Sequence, residues 1–287
     1  MTYQYAAILG QGKLAVECAV LLKAFIPSIT LFDTNPESAS ALRLSSNNKK
    51  IDYQHLHKKV LMEHLAGLEI NTLLVSAVNR YIIPKSVLSS SHITAINLHH
   101  SLLPRHPGRN AEAWAIFEQD SETGITWHMI TEKVDAGKIL IQKKVSLDEH
   151  MTSIQLLKKQ HSLAVQGFTE ILEDVVNSKM VVSSPNNNLR GQLHYSWEVP
   201  NDGVLSLDWD GAKMSAFLRA MDYGILDVLG KPSVIIDGVG YTWKKYLIER
   251  SEVAQNMEFV DFEHGSVIIQ RGNTKVTLIH FSRKPTL

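Results

Sequence analysis

The sequence contains one cysteine and no long hydrophobic run, and each shortage excludes a class of protein. Because Cys18 is the only thiol among 287 residues, the chain cannot form an internal disulfide, which argues against a small secreted domain. No apolar run approaches the roughly 18 residues that a membrane-spanning helix needs. The first residues also lack the basic segment, apolar core and cleavage site of a secretory signal. We therefore expect a cytoplasmic protein.

An excess of either charge is also missing. The chain has 29 lysines and arginines against 29 aspartates and glutamates, so its formal net charge is zero. A chain without net charge has no long-range attraction for nucleic acid or for an anionic membrane. The part from Arg190 onward has 11 basic and 12 acidic residues, so we do not expect there the basic surface that an RNA helix requires.

Length and composition predict two domains. A chain of 287 residues is longer than most single domains, so one large and one small domain are expected. The polar, turn-forming segment at residues 183–188 is the best linker candidate. We place the domains at residues 1–185 and 190–287. The second domain is predicted to be smaller and mainly β, because it contains short β-type runs at 233–236, 241–248, 266–270 and 275–281.

The N-terminal residues predict an α/β fold. Residues 5–9 indicate a strand, residues 10–12 a tight turn, and residues 13–25 an amphipathic helix. A second strand at 29–32 ends at Asp33. Strand, turn, helix and strand in this order are typical of a parallel sheet.

The same turn also fits a weaker pattern. Gly10, Gly12 and Ala15, followed by Asp33, match the fingerprint of a nicotinamide dinucleotide site, in which the acidic residue binds a ribose. Any parallel sheet whose first helix packs closely also needs small residues in this turn, and such a helix start can bind other anions. A nicotinamide-dependent oxidoreductase therefore stays an alternative, although no separate set of residues for hydride transfer accompanies the motif.

An amide and an imidazole end one of the predicted strands. Residues 95–98 form an apolar run that stops at two histidines, which is typical of a buried strand where it reaches a site. Because side chains alternate along a strand, Asn97 and His99 point to the same face. Together they can hold one oxygen atom.

A carboxylate is predicted to join this pair. Residues 126–130 indicate a second strand, and Val-Asp-Ala-Gly at 134–137 indicates a tight turn that presents Asp135. Each of the three polar residues also has an ordinary structural role, as a loop cap, a hydrogen-bonded polar side chain or a turn former. Taken singly, the structural interpretations are favoured, and only the combination indicates a site.

Histidines are dense around this stretch. His92, His99, His100 and His106 invite interpretation as a metal site. Neither a thiolate partner nor a helical pair of histidines four residues apart accompanies them. We therefore expect no metal.

The combined pattern resembles the signature of the 10-formyltetrahydrofolate-dependent formyltransferases. The family's Asn-x-His, followed by Ser-Leu-Leu-Pro, is matched by Asn97, His99 and residues 101–104. Its valine-aspartate-alanine/glycine-glycine turn is matched by residues 134–137. Its strand entry, Thr-Gly-hydrophobic-Thr, is matched by residues 123–126, with a histidine two positions later.

The C-terminal part resembles the same family. Leu-Asp-Trp at 207–209 and Leu-Arg-Ala at 218–220 are similar to the C-terminal domain of methionyl-tRNA formyltransferases. The run RAMDYGILDVLGKP at 219–232 is closer to formyltransferases associated with nonribosomal peptide assembly. Because the charges of this part are balanced, we do not expect tRNA as a partner.

The resemblance implies a Rossmann-like, mostly parallel sheet and transfer of a formyl group from the folate to an amine. It implies that Asn97 donates to the oxyanion, that His99 donates beside it or assists proton movement, and that Asp135 orients His99 and orders a water. The residues implied to line the pterin pocket are Arg80, Tyr81, Ile82, Ile130, Thr131 and Val134. The residues implied to face the acceptor are Gly10, Gly12, Lys13, Ser101 and Arg109.

Alternatives stay open for both the activity and the acceptor. Besides the nicotinamide-dependent enzyme, a formyl-folate hydrolase and a non-catalytic folate-binding module are compatible with the same residues. The acceptor amine could belong to a sugar, an amino acid, a hydroxyornithine-like molecule or an aminoacyl group on a carrier protein.

The folate interpretation is tested by ligand-induced stability. We expect reduced folate, and neither NAD(H) nor NADP(H), to raise the melting temperature, because a ligand bound only by the native state stabilises it by mass action. Thermal melts with each compound at equal concentration measure this. A shift with a nicotinamide nucleotide and none with the folate would contradict the prediction.

Overall fold

The computed structural model describes residues 3–35, 41–250, 259–263 and 265–283. These residues form two compact units, each assembled from several segments of the chain. The first unit comprises the described residues of Met1–Gly108, Gly124–Val145 and Lys159–Leu193, and the second those of Arg109–Thr123, Ser146–Lys158 and His194–Leu287. The linear division into residues 1–185 and 190–287 stays a prediction.

One seven-stranded sheet forms the centre of the first unit. Its strands are β1 (Tyr5–Gly10), β2 (Ser28–Asp33), β3 (Asp52–Gln54), β4 (Thr72–Ala77), β5 (Ile93–His99), β6 (Glu122–Met129) and β7 (Ile139–Ser146). They lie in the order β3-β2-β1-β4-β5-β6-β7. The first five pair in parallel, and β6 pairs antiparallel with β5. The mostly parallel, Rossmann-like sheet expected from the sequence is confirmed.

The described residues form seven α-helices. They are α1 (Lys13–Leu22), α2 (Ala41–Asn48), α3 (Lys58–Ala66), α4 (Lys85–Leu88), α5 (Ala111–Phe117), α6 (Ser153–Val176) and α7 (Gly211–Ala220). Helix α1 is shorter than the predicted 13–25, and Phe25 is exposed, because the chain must leave the helix before Pro27 to enter β2. Within the described ranges, none of the helices is long and apolar enough to cross a membrane.

One part of the first unit's core lies where helix α6 packs on strand β6. Trp127 and Phe168 are both fully buried, and their ring centroids lie 5.0 Å apart. The Trp127 Nε1 donates a 3.0 Å hydrogen bond to the Ala164 carbonyl, so the indole's polar atom is also satisfied. Burying each aromatic side chain stabilises the fold by about 2 kcal/mol.

Packing accounts for the features that suggested a nicotinamide site. A Cβ atom on Gly10 would lie 2.1 Å from the Ala77 carbonyl oxygen, so the close approach of β1 and β4 requires glycine there. The buried Asp33 carboxylate accepts hydrogen bonds of 2.9 Å from the Tyr53 hydroxyl and from the Asn35 amide. Both residues therefore have a structural reason to be present without a dinucleotide.

The second unit combines helices α5 and α7 with two small sheets. The first contains β8 (Val204–Leu205), β9 (Ser233–Ile236), β10 (Val239–Thr242) and β15 (Ser282–Arg283), in the order β15-β10-β9-β8. The second contains β11 (Lys245–Arg250), β12 (Phe259–Glu263), β13 (Ser266–Arg271) and β14 (Thr274–Ile279), in the order β11-β14-β13-β12. All pairs in this second sheet are antiparallel. The expected smaller, mainly β region is confirmed.

A carboxyl group is buried in the second unit. Glu112, in the first turn of α5, is 5% exposed and accepts a 2.7 Å hydrogen bond from the Tyr223 hydroxyl. Burial raises the pKa of Glu112, although the bond from Tyr223 acts in the opposite direction. Because the pKa is raised in the folded state, the carboxyl group supports folding while it is protonated, and this support is lost as the pH rises through the folded pKa.

We expect Glu112→Gln to be more stable than the wild type at pH 8, with a difference that shrinks toward pH 5. Glutamine keeps an oxygen that accepts from Tyr223 and removes the cost of burying a charge. Thermal melts between pH 5 and pH 8 measure the difference. The control is Glu63→Gln, which changes an exposed glutamate and should show no such trend. A Glu112→Gln protein that is less stable than the wild type at pH 8 would disprove the argument.

Candidate active site

Three neighbouring strands place a row of polar side chains across the sheet. Ser76 of β4 lies in register with Asn97 of β5, and Asn97 lies opposite His128 of β6. The Ser76 hydroxyl donates to the Asn97 Oδ1 at 2.6 Å, and the Asn97 Nδ2 lies 3.1 Å from the His128 Nε2. Cross-strand register therefore produces a continuous hydrogen-bonded row.

The turn after β6 adds the carboxylate of Asp135. This residue has a left-handed φ of 46°, a conformation that aspartate tolerates better than most side chains. The turn folds back so closely that a Cβ on Gly137 would lie 1.7 Å from the Met129 carbonyl oxygen. Only glycine fits there, which explains why the Asp-Ala-Gly sequence forms this turn.

Hydrogen bonds fix the orientation of this turn. The Gly108 amide donates to the Asp135 Oδ2 at 2.7 Å. The guanidinium group of Arg190 donates to the main-chain carbonyls of Val134 at 2.8 Å and of Asp135 at 3.1 Å. These hydrogen bonds therefore fix both the main chain of the turn and the carboxylate of Asp135.

The Asp135 carboxylate faces two histidines. Its Oδ2 lies 3.4 Å from the His99 Nδ1, and its Oδ1 lies 3.5 Å from the His128 Nε2. All three side chains are less than a tenth exposed. The structure therefore brings Asp135 directly to His99, and connects Asp135 to Asn97 through His128.

The environment favours an ionised Asp135 beside a neutral His99. Burial acts to raise the pKa of Asp135, but the interactions with His99 and His128 and the hydrogen bond from Gly108 lower it overall. Burial lowers the pKa of His99, and the nearby Asp135 offsets this only in part. The His99 Nε2 lies 2.8 Å from the His106 carbonyl oxygen, which can only accept, so this nitrogen carries the proton. The bare Nδ1 then faces Asp135 and can take up a proton.

The pterin candidates lie on two loops of the first unit. Arg80, Tyr81 and Ile82 follow β4 in a loop that the Asn79 side chain closes, accepting from the Tyr81 amide at 2.9 Å and donating to its carbonyl at 2.7 Å. Tyr81 is half-buried, whereas Arg80 and Ile82 are exposed.

The remaining pterin candidates follow β6. Ile130, partly buried, donates its amide to the Ala95 carbonyl at 2.8 Å. The exposed Thr131 donates to the Lys133 carbonyl at 2.9 Å, and Val134 accepts from Arg190. The structure gives all six residues a place, and their contact with a pterin stays a prediction.

Three of the acceptor candidates lie where β1 leads into α1. Gly10, Gly12 and Lys13 form the turn into α1, where Lys13 makes an exposed ion pair of 3.1 Å with Glu17. Gly12 has a φ of 83°, which explains the glycine.

The other two acceptor candidates are tied to main-chain groups. The buried Ser101 donates its hydroxyl proton to the Arg105 carbonyl at 2.6 Å, so it can serve a ligand only as an acceptor. Arg109 is exposed and belongs to the second unit, where its amide donates to the His194 carbonyl at 2.9 Å. The contact of these five residues with an acceptor stays a prediction.

Sequence reasoning missed Ser76, Gly108 and Arg190 as parts of this arrangement, and noted His128 without giving it a role. Ser76 carried a signal, because it is a polar residue near the end of a strand and directly follows three apolar residues. Arg190 carried none, since it lies 55 residues after Asp135 in a segment interpreted only as a linker end.

The fold is shared with solved structures of known enzymes. An N-formyltransferase from Helicobacter canadensis, determined in complex with folinic acid and dTDP-3-aminofucose, superimposes with a TM-score of 0.76. The alignment covers 98% of this chain and all of that chain at 16% identity. At this identity the similarity shows a common fold.

Two relatives are more similar in sequence. The GDP-perosamine N-formyltransferase of Brucella melitensis biotype 1 is 32% identical over 150 residues, which are 52% of this chain and 56% of that protein. The methionyl-tRNA formyltransferase of Ehrlichia ruminantium is 40% identical over 106 residues, which are 37% of this chain and 35% of that protein. The chain thus spans about half the length, or less, of these relatives.

A family model provides the assignment. The model described as formyl transferase matches residues 28–172. This range includes Asn97, His99 and Asp135 and covers half of the chain. As the resemblance of its motifs predicted, the chain belongs to the formyl transferase family.

Proposed function

We propose that the protein transfers a formyl group from 10-formyltetrahydrofolate to a primary amine of a small molecule, an amino sugar carried by a nucleotide. The observation that carries this proposal is the buried Asp135 carboxylate facing a neutral His99 at 3.4 Å. Such a pair can accept a proton at neutral pH and stabilise the resulting imidazolium. Family membership supports formyl transfer as the reaction.

The relatives support an amino sugar as acceptor. The Brucella protein is named for GDP-perosamine, and the Helicobacter structure contains dTDP-3-aminofucose. The balanced charge from Arg190 onward does not favour tRNA, which needs a basic surface. The similarity of residues 219–232 to formyltransferases of nonribosomal peptide assembly favours a carrier-bound aminoacyl group, but neither of these two relatives is named for one.

The residues present fit a reduced folate. The loop after β4 exposes Ile82 and half-exposes Tyr81, and apolar and aromatic side chains of this kind pack against a flat pterin ring. Bound 10-formyltetrahydrofolate would supply the activated formyl carbon. Arg80, Tyr81, Ile82, Ile130, Thr131 and Val134 would hold its pterin.

His99 and Asp135 would remove the proton that the amine must lose. An attacking amine becomes cationic when its nitrogen bonds to the formyl carbon, so a base must take up a proton. That proton would then pass to the leaving folate nitrogen as its bond to the formyl carbon breaks. The bare Nδ1 of His99 is that base, acting directly or through a water. Ionised Asp135 stabilises the protonated ring, and general-base assistance of this kind contributes about a hundredfold or more in rate.

Asn97 would stabilise the negative charge that develops on the formyl oxygen. One of its two Nδ2 protons is directed to the His128 Nε2, and the second is available for the formyl oxygen. A single donor of this type typically lowers the activation free energy by about 3 kcal/mol. Because the amide is held before the reaction, little reorganisation is needed when the charge appears.

The acceptor class is tested with a panel of amines. We expect 10-formyltetrahydrofolate and a nucleotide-linked amino sugar, with dTDP- and GDP-linked forms included, to give an N-formyl product detected by mass spectrometry. Free amino acids, N-hydroxyornithine, an aminoacyl carrier protein and methionyl-tRNA should give at least tenfold less product, because one lost set of polar contacts costs about that factor.

Two results would contradict this acceptor assignment. Faster formylation of a carrier-bound or free amino acid would show that this compound, and not the amino sugar, is the acceptor. Release of formate at the same rate with and without any amine would identify a hydrolase. A parallel panel with Asn97→Ala, which removes the proposed oxyanion donor, controls for uncatalysed formylation.

We expect Asp135→Asn to fold, to bind reduced folate and to lose activity by on the order of a hundredfold or more. Asparagine tolerates the left-handed φ of 46°, and its oxygen can still accept from Gly108. Its uncharged oxygen would stand at the Oδ2 position, which faces the His99 Nδ1, so no negative charge would stabilise the imidazole once it takes up the proton. Steady-state rates and folate-induced melting shifts measure the two parts of this prediction.

The matched control is Asp222→Asn in the second unit. Asp222 is likewise hydrogen-bonded, accepting from the Tyr246 hydroxyl at 2.8 Å, but it belongs to no proposed functional group. We expect this variant to keep its rate. Retention of more than about a third of the wild-type rate by Asp135→Asn would reject proton handling, because even modest acid-base catalysis exceeds that factor.

A further inference from the structure

The row from Ser76 to His128 gives the Asn97 amide one orientation. The His128 Nδ1 lies 2.9 Å from the Met129 carbonyl oxygen. Because a carbonyl only accepts, Nδ1 donates a proton to it. The NH₂ group of Asn97 faces the His128 Nε2 at 3.1 Å.

The other end of the row agrees with this orientation. The Asn97 oxygen then faces Ser76, whose hydroxyl donates its one proton at 2.6 Å. Rotating the amide by half a turn would place its oxygen, instead of its NH₂ group, against the His128 Nε2. The rotation would also turn the Ser76 hydroxyl from a donor into an acceptor.

We propose that Ser76 is a positioning residue that holds the Asn97 amide with its NH₂ group directed into the reaction site. Ser76 is 3% exposed and acts through Asn97, without touching the reacting atoms itself. Its importance for the rate depends on the proposed formyl transfer, whereas its effect on the amide orientation does not.

Strand β4 supports a specific role for this hydroxyl. Its sequence Thr-Leu-Leu-Val-Ser-Ala is buried at every position, and the three residues before Ser76 are apolar. A valine or alanine would pack in such a strand without any polar group to satisfy. The serine instead supplies the donor for the partly buried Asn97 Oδ1, and leaving a shielded carbonyl oxygen without a donor is costly.

The first experiment compares variants of Ser76. We expect Ser76→Ala to lower kcat about tenfold, the effect of losing one orienting hydrogen bond, with the KM for 10-formyltetrahydrofolate unchanged. Ser76→Thr, which keeps the hydroxyl, should restore most of the rate. The control is Ser46→Ala, which removes another buried hydroxyl, one that donates to the Leu42 carbonyl at 2.8 Å, and should leave kcat unchanged.

The second experiment repeats Ser76→Ala in an Asn97→Ala background. If Ser76 acts only through Asn97, the second substitution should change the remaining rate less than about twofold, because two residues of one network are not additive. The acceptor in these assays is the amine of the panel that reacts fastest. If no amine reacts, the acceptor is water, and the release of formate is measured. Equal losses in both backgrounds, or an unchanged kcat for the single variant, would overturn the proposal.

A third measurement needs no turnover and also applies if Ser76→Thr fails to fold. In the ¹⁵N spectrum, the Asn97 side-chain amide, identified by its disappearance in Asn97→Ala, should give two distinct, slowly exchanging protons. Ser76→Ala should accelerate their exchange with water severalfold, and Ser46→Ala should not. Unaltered exchange in Ser76→Ala would overturn the proposal even with an active enzyme, and altered exchange would support it even if formyl transfer proved wrong.

Discussion

A buried negative charge at Asp135 is the constraint on which the first unit's polar interior depends. A carboxylate in a poorly solvated position needs donors or positive partners, and breaking such an arrangement typically costs about 3–5 kcal/mol. Here the Gly108 amide bonds the carboxylate, two imidazoles face it, and Arg190 holds the carbonyls of its turn. Segments far apart in sequence must therefore come together before the charge is tolerated.

The change of strand direction between β5 and β6 is what makes this arrangement possible. Parallel strands β4 and β5 align Ser76 with Asn97, and the antiparallel β6 adds His128 to the same row. The turn that follows β6 then presents Asp135 to both histidines. If β6 ran parallel to β5, the chain would leave β6 at the end of the sheet opposite to the one observed.

Local patterns were sufficient for the parts of the site that lie within one strand or one turn. Alternation along β5 placed Asn97 and His99 on one face, and the glycine of the turn after β6 indicated a presented carboxylate. The register between strands is not contained in any single segment, so the pairing of Ser76 with Asn97 could not be predicted. The contact of Arg190 with a turn 55 residues earlier depends on the tertiary fold, and no local pattern signals it.

The same limit explains the nicotinamide alternative. Gly10 and Asp33 fit a ligand fingerprint by residue type. In the structure, Gly10 is required by the close Ala77 carbonyl, and Asp33 accepts a hydrogen bond from the Tyr53 hydroxyl. Neither contact can be seen in the local sequence. The overall α/β class was predictable because it depends on the order of elements. The end of α1 at Leu22 was harder to predict, because the apolar spacing continues to Phe25 although the helix has already ended.

The left-handed backbone at Asp135 also restricts how this protein can change over evolutionary time. At that conformation, bulky and β-branched residues are strained, and asparagine and glycine are the replacements that the backbone accepts readily. Asparagine is reached from any aspartate codon by one transition. The chain is therefore a single base change away from a descendant whose turn keeps an unstrained backbone and whose buried site has lost its negative charge.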